Sequence, residues 1–231
     1  MSVRTVAIIQ ARLDSIRLPQ KVLLPICGKP MLCHVLNRVR KSRFLDEVVV
    51  TTPDKRIADL CKMFEIGAYL CEKEQEADVL QRYYMTAQLT KTTTIIRITS
   101  DCPLVDPEII DRAICVFRAS STDYLTTVGS YPDGFDTEIF SYNILEETHN
   151  EAKDPYDREH VTTYIINSSK FTKTTLQSPI KLSKLGNPHL SVDTIQDLDN
   201  IREIFQSLGE DFSFMDVVKY LKEKNESKVS R

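Results

Sequence analysis

Arg12, Arg17 and Lys21 fall within ten positions of one another in the segment IIQARLDSIRLPQKVLLPICGKP. The apolar run Val6–Ile9 before them reads as a strand, and Gly28 and Pro30 lie between them and a helical pattern. The carboxyl end of a first strand is where open α/β sheets bind ligands. Arginine offers a planar fork and lysine a point charge, so three such cations suit a polyphosphate, with Ser15 and the loop N–H groups able to add contacts. The loop contains neither G-x-x-x-x-G-K-[ST] nor G-x-G-x-x-G, which argues against a P-loop ATPase and a dinucleotide dehydrogenase. The plain alternative is a solvated basic loop.

Acidic residues recur at comparable places. Asp101 follows the run Thr94–Thr99, and Asp193 follows Leu190–Val192, so each carboxylate lies just past an expected strand. Asp101 could equally be a turn or cap residue, and Asp193 or Thr194 could cap the helix that follows. Asp136 and Glu138 alternate along an expected strand and share one face, turned either into a cleft or into solvent. Asp157, Arg158, Glu159 and His160 crowd the start of an expected helix, Glu159–Asn167. There Arg158 could fork a substrate carboxylate, Glu159 could bind hydroxyls, and His160 is the best placed of four histidines for a proton role. A salt-bridged helix start is the alternative. Asp78 and Arg82, four apart on one helix, could simply pair with each other. Asp106 reads as a cap, and His189 as a loop residue. Cys102 sits beside Asp101, whose charge would suppress a thiolate, so it reads as packing.

The elements that must hold these groups alternate. Short β-branched strands are expected at Thr5–Ile9, Glu47–Thr51 and Thr94–Thr99. Helices are expected at Met31–Val39, Ile57–Phe64, Ala77–Leu89 and Pro107–Phe117. Near-continuous apolar strands suit a sheet covered on both faces, and strand–helix alternation suits a mostly parallel one. After about residue 120 the pattern loosens. Strands are expected at Asp123–Thr127, Asp136–Phe140, Phe171–Leu176 and Leu190–Val192, and a helix from Ile195 to Leu208 that Gly209 stops. From Glu223 the chain reads as a polar tail.

With 30 basic and 33 acidic residues the net charge is −3, which weighs against a nucleic-acid polymer as partner. Hydrophobic residues make up 42%, enough for a packed core. No apolar run approaches the roughly 18 residues that span a bilayer. The opening residues do not read as a secretory signal, and no two of the six cysteines form a C-x-x-C pair. A cytoplasmic protein with reduced thiols is the expectation.

The string A-R-x-x-S-x-R-L-P-x-K, here Ala11, Arg12, Ser15, Arg17, Leu18, Pro19 and Lys21, resembles the signature of the sugar cytidylyltransferases, among them the acylneuraminate and 3-deoxy-manno-octulosonate (Kdo) enzymes. The segments DVLQRYY from Asp78, RITSDCPL from Arg97, YPDGFDTEIF from Tyr131, YDREHVT from Tyr156 and SVDTIQDL from Ser191 resemble the spore-coat polysaccharide biosynthesis subgroup. The resemblance spans about residues 5 to 208. It implies a single α/β domain, Rossmann-like and GT-A-like, over residues 1–222, with a mostly parallel sheet and helices on both faces. Residues 120–190 would form a substrate-side insertion that also serves dimerisation, and residues 223–231 the tail. It implies transfer of CMP from CTP to an acidic sugar, nonulosonate- or Kdo-like, for surface polysaccharide. Asp101 and Asp193 would then hold Mg2+, and Arg12 and Lys21 the triphosphate. Gln10, Ala11, Asp78 and Arg82 would lie near base or ribose, and Asp136, Glu138, Arg158, Glu159 and His160 near the sugar.

Two other readings remain. A glycosyltransferase on a similar fold would normally carry a D-x-D-like pair, whereas Asp101 is followed by no second carboxylate until Asp106. A non-catalytic nucleotide-binding subunit would bind without turnover.

Overall fold

The computed structural model describes residues 3–229. Strand β1 (Thr5–Gln10) leads through the cationic loop and a 3-10 turn at Lys21–Leu23 into a small hairpin, β2 (Pro25–Ile26) and β3 (Lys29–Pro30). Cys27 and Gly28, both at positive φ, make its two-residue turn. Then follow α1 (Met31–Val39), β4 (Glu47–Thr52), α2 (Lys55–Met63), β5 (Gly67–Leu70), α3 (Val79–Leu89), β6 (Thr94–Thr99) and α4 (Pro107–Ala119). The second half contributes β7 (Tyr124–Thr126), β8 (Glu138–Ser141), α5 (Tyr142–Glu151), α6 (Pro155–His160), α7 (Thr163–Asn167), β9 (Lys173–Thr175), α8 (Ile195–Leu208) and α9 (Phe214–Val229).

Seven strands form one sheet in the order β5-β4-β1-β6-β8-β7-β9. Every neighbouring pair is parallel except the two that involve β8. The alternation inside β1 explains why its sequence is apolar throughout. Ala7 and Ile9 join one core, with Leu32, Leu36, Ile110 and Leu198. Val6 and Ile8 join a second core on the other face, with Leu80, Tyr83, Leu145 and Ile165. A one-residue slip would exchange the two sets, so burial on both faces fixes the register.

That register places the site. Gln10 is level with Thr51 of β4 and with Thr99 of β6. The loops after β1 and β6 therefore emerge side by side from the carboxyl edge. From β1 the chain turns toward β4, and from β6 toward β8, so a topological switch point lies between them.

The second half departs from expectation in four places. Asp136 precedes β8 rather than lying in it, so it and Glu138 do not share a strand face. Leu190–Val192 is not a strand; the pairing there is an isolated bridge between Asp133 and His189. The single helix expected over Glu159–Asn167 is two helices. They meet at Val161, whose φ of 63° with Thr162 N–H bonded to the His160 carbonyl at 2.6 Å forms a tight three-residue turn. Residues 223–229 continue α9 as helix, and the last two residues of the expected tail lie outside the described residues. Among the described residues no helix is long and apolar enough to cross a membrane.

Candidate active site

A cleft of about 480 Å3 opens at the carboxyl edge between β1 and β6. Gln10, Ala11, Arg12, Ser15, Arg17 and Lys21 line one side of it. Internal bonds shape their loop: Ala11 N–H donates to the Thr51 carbonyl, Leu13 N–H to Asp54, and Gln20 N–H back to the Leu13 carbonyl. Val22 is buried directly after Lys21 and anchors the loop's end.

Lys21 occupies the centre. Its Nζ donates to Asp101 Oδ2 at 2.8 Å, to the Val192 carbonyl at 2.8 Å and to Asp193 Oδ1 at 3.1 Å. Burial alone would lower the ammonium's pKa, but Asp101 and then Asp193 outweigh it and hold it above the ordinary lysine value. Asp101 is the mirror case: burial pushes it up, and the Lys21 charge and hydrogen bond bring it below the ordinary carboxylate value. The two aspartates lie 92 positions apart in the chain and are pinned together by the Val192 N–H to Asp101 carbonyl bond of 2.9 Å. Thr194, not Asp193, caps α8. It forms a reciprocal capping box with Asp197, which leaves the Asp193 carboxylate for the cleft. Arg17 reaches that same carboxylate at 2.8 Å, and Arg12 reaches Glu159 at 3.1 Å.

At the inner end of the cleft Arg82 is 1% exposed. Among the described residues its guanidinium makes one hydrogen bond, to the Thr51 carbonyl at 3.4 Å, and Arg82 Nε, Gln10 Oε1 and Thr51 Oγ1 lack partners. Buried polar atoms left unpaired are costly, and two of these residues, Gln10 and Arg82, also line the cleft, where a planar polar ligand could pair with them.

Three expected site residues are engaged elsewhere. Arg158 Nε donates to Asp78 at 2.8 Å and its Nη1 to the carbonyls of His149 and Ala152, so it braces α6 against α3 and does not line the cleft. Asp78 also caps α3 through Gln81 N–H and makes no pair with Arg82. Glu138 is buried between Arg97, the Tyr124 hydroxyl and Thr162 Oγ1, where it neutralises a buried guanidinium. Glu159 and His160 do line the cleft, at its mouth.

The sequence pattern of the cytidylyltransferase family matches residues 6–224. The chain belongs to that family. It is 32% identical to the spore coat polysaccharide biosynthesis protein SpsF of Bacillus subtilis, over 88% of this chain and 87% of that protein. A cytidylyltransferase from Leptospira borgpetersenii superposes with a TM-score of 0.89 at 29% identity, covering 97% of this chain and 96% of the other. A CMP-Kdo synthetase solved with CTP shares the fold, with a TM-score of 0.71 at 19% identity over 88% and 99% of the two chains.

In this cytidylyltransferase a second hollow, of about 300 Å3, adjoins the first. Asp133, Asp136, Tyr131 and His189 line it. His189 Nδ1 pairs with Asp133, and its Nε2 lies 3.3 Å from Ser191 Oγ and 3.8 Å from Asp193 Oδ2, so it bridges toward the cleft. Burial, with the Asp133 charge next, pushes Asp136 up to about 7. Gly134 permits this crowding: at φ 105°, a Cβ there would stand 2.5 Å from the Leu190 carbonyl. Asp133, His189 and Ser191 were not legible as site residues. The D-G-x-D run signals a turn, and nothing local says that residues 189–191 fold back on it. Cys102 is buried and its thiol is held well above the ordinary value, first by burial and then by Asp101, so it is packing and not a nucleophile.

Among the described residues no three of His, Cys, Asp and Glu converge as a closed metal cage. Asp101 and Asp193 do converge, on one cationic atom. Two carboxylates with room for phosphate and water oxygens suit Mg2+, which seldom takes an all-protein cage.

Proposed function

We propose that this protein is a Mg2+-dependent cytidylyltransferase. It transfers CMP from CTP to the hydroxyl of an acidic sugar, of the nonulosonate or Kdo kind, in the cytoplasm, for surface polysaccharide. The observation that carries the reading is Lys21 held between Asp101 and Asp193, with Arg17 on Asp193 and Arg12 on Glu159 in the same cleft, at the switch point between β1 and β6. The names of the relatives support the nucleotide and the sugar acid.

In the reaction the sugar hydroxyl loses its proton to solvent, its oxygen forms a bond to the α-phosphorus, and the bond from that phosphorus to the bridging oxygen of pyrophosphate breaks. Arg12, Arg17 and Lys21 would bind the triphosphate and stabilise charge that builds on the leaving pyrophosphate. Arg82 and Gln10, with polar atoms unpaired at the inner end, would receive the pyrimidine edge. Asp136, Asp133 and His189 would accept and orient sugar hydroxyls beside Asp193. Asp101 and Asp193 would hold Mg2+, which supplies phosphate neutralisation and a more acidic hydroxyl.

Pyrophosphate release from CTP with Mg2+ and a panel of sugar acids tests the reading. Alanine at Arg12 or at Asp101 is expected to lower it by at least about a hundredfold, with the far-UV circular dichroism unchanged. Wild-type rates in either variant would overturn the assignment.

A further inference from the structure

The three ammonium protons of Lys21 meet three acceptors: Asp101 Oδ2, the Val192 carbonyl and Asp193 Oδ1. An ammonium has three donors, so none remains for a phosphate. The same three oxygens, two anionic and one carbonyl, are hard donors of the kind a divalent cation takes. We propose that the Lys21 ammonium stands in for the metal and must leave for it, so that this protein binds a divalent cation and a triphosphate together far more tightly than either alone. The inference rests on the reading above that Asp101 and Asp193 are the cation's ligands.

Each ligand alone meets an obstacle. A cation arriving alone must displace a lysine that is 13% exposed, and strand its charge in the cleft with no anion to receive it. A triphosphate arriving alone must draw Lys21 away and leave Asp101 and Asp193 facing its own negative charge. When both arrive, the carboxylates keep a cation and Lys21 gains a phosphate. The side chain can make this exchange without the backbone. Val22 is buried at 1% and Lys21 opens the 3-10 turn, while the four-carbon stem has rotatable bonds of its own. Arg17, paired with Asp193 from the rim and far more exposed, lacks the second carboxylate and the carbonyl, so it is no stand-in. Coupling of this kind is reciprocal: each ligand strengthens the other by the same factor.

The probe is Mn2+, followed by electron paramagnetic resonance, with and without CTP. In the wild type, CTP is expected to tighten Mn2+ binding by at least about tenfold, and Mn2+ to tighten CTP binding by the same factor. Lys21→Met is expected to bind Mn2+ alone about tenfold more tightly than wild type, with the CTP-dependent factor falling by about the same tenfold, to what direct contact between cation and phosphates supplies. Lys21→Gln should follow it, which guards against one variant that folds poorly. Arg17→Met removes the same charge from the exposed rim and should change Mn2+ binding by less than about threefold. Equal or weaker Mn2+ binding in both Lys21 variants, or an equal gain in Arg17→Met, would overturn the proposal. Turnover is scored separately. A wild type that releases pyrophosphate without the Lys21 effect would keep the reaction and remove the stand-in; the Lys21 effect without turnover would do the reverse.

Discussion

Asp136 sits in an environment that changes its chemistry. Burial first, and then Asp133, push its carboxyl up to about 7, whereas an unfolded aspartate titrates near 3.9. Between those values the native state binds more protons than the unfolded chain, so stability falls as pH rises. The contribution is complete below about pH 4 and gone above about pH 7. Thermal melts at low and high pH should therefore show the wild type losing ground to Asp136→Asn as pH rises. At about pH 8 the variant is expected to be the more stable by about 1 kcal/mol, after allowance for solvent screening. An identical pH dependence in both proteins would discard this account. At this scale the sequence was informative where a residue followed a strand. Lys21 and Asp101 needed only that the loops after β1 and β6 meet at one edge, whereas Asp193 follows no strand and is brought there by the Val192 N–H bond to the Asp101 carbonyl. Arg158 and Glu138 misled because residue type and spacing name a face of an element, but not what covers it. Arg158 meets Asp78 and two carbonyls, and Glu138 meets a buried arginine.

Among the elements, β8 shows how an apparent site residue can be structural. It alone of the seven strands runs against its neighbours, and Glu138 at its start closes a buried network with Arg97 on β6, Tyr124 on β7 and Thr162. Removing one partner of a buried pair typically costs about 3–5 kcal/mol. Glu138→Ala is thus expected to lower the melting temperature by about 10 °C, taking about 2–4 °C per kcal/mol for a chain of this size. Its CTP dependence in the folded fraction should stay unchanged. A raised KM for the sugar with no loss of stability would instead restore Glu138 to the substrate side. Periodicity made α1 and α8 legible to the residue: Met31–Val39 and Ile195–Leu208 were both read at the bounds observed. It failed at α6 and α7, where Val161 takes a positive φ that a β-branched residue rarely adopts. No propensity anticipates such a turn. It is held by tertiary bonds, with Thr162 tied to Glu138 and Val161 itself fully buried. The capping box at Thr194 makes a related point, because it decides which of two adjacent polar residues serves the helix and which serves the cleft.

Over the whole molecule, a net charge of −3 conceals a local opposition. In this structure every cation of the opening loop is satisfied by a carboxylate from a distant part of the chain: Arg12 by Glu159, Arg17 by Asp193, and Lys21 by Asp101 and Asp193. These pairs tie the β1 loop to α6 and to the segment before α8, so the two halves of the sheet are joined across the cleft by groups that a metal-bound triphosphate would repartner. Binding to the native state alone stabilises it by about 2.7 kcal/mol at a hundredfold excess over Kd. At about 2–4 °C per kcal/mol, Mg2+ with CTP should raise the melting temperature by about 5–10 °C. Mg2+ or CTP alone at the same concentrations should raise it by much less than half of that, because each alone leaves Lys21 or the aspartates unsatisfied. UTP and GTP with Mg2+ should fall below CTP to the extent that Arg82 and Gln10 read the base. Asp101→Asn should abolish the excess that the pair produces over the two separate shifts. Additive shifts from metal and nucleotide in the wild type would mean that the cleft accepts them independently, and that the ion pairs across it hold the fold together without gating what enters.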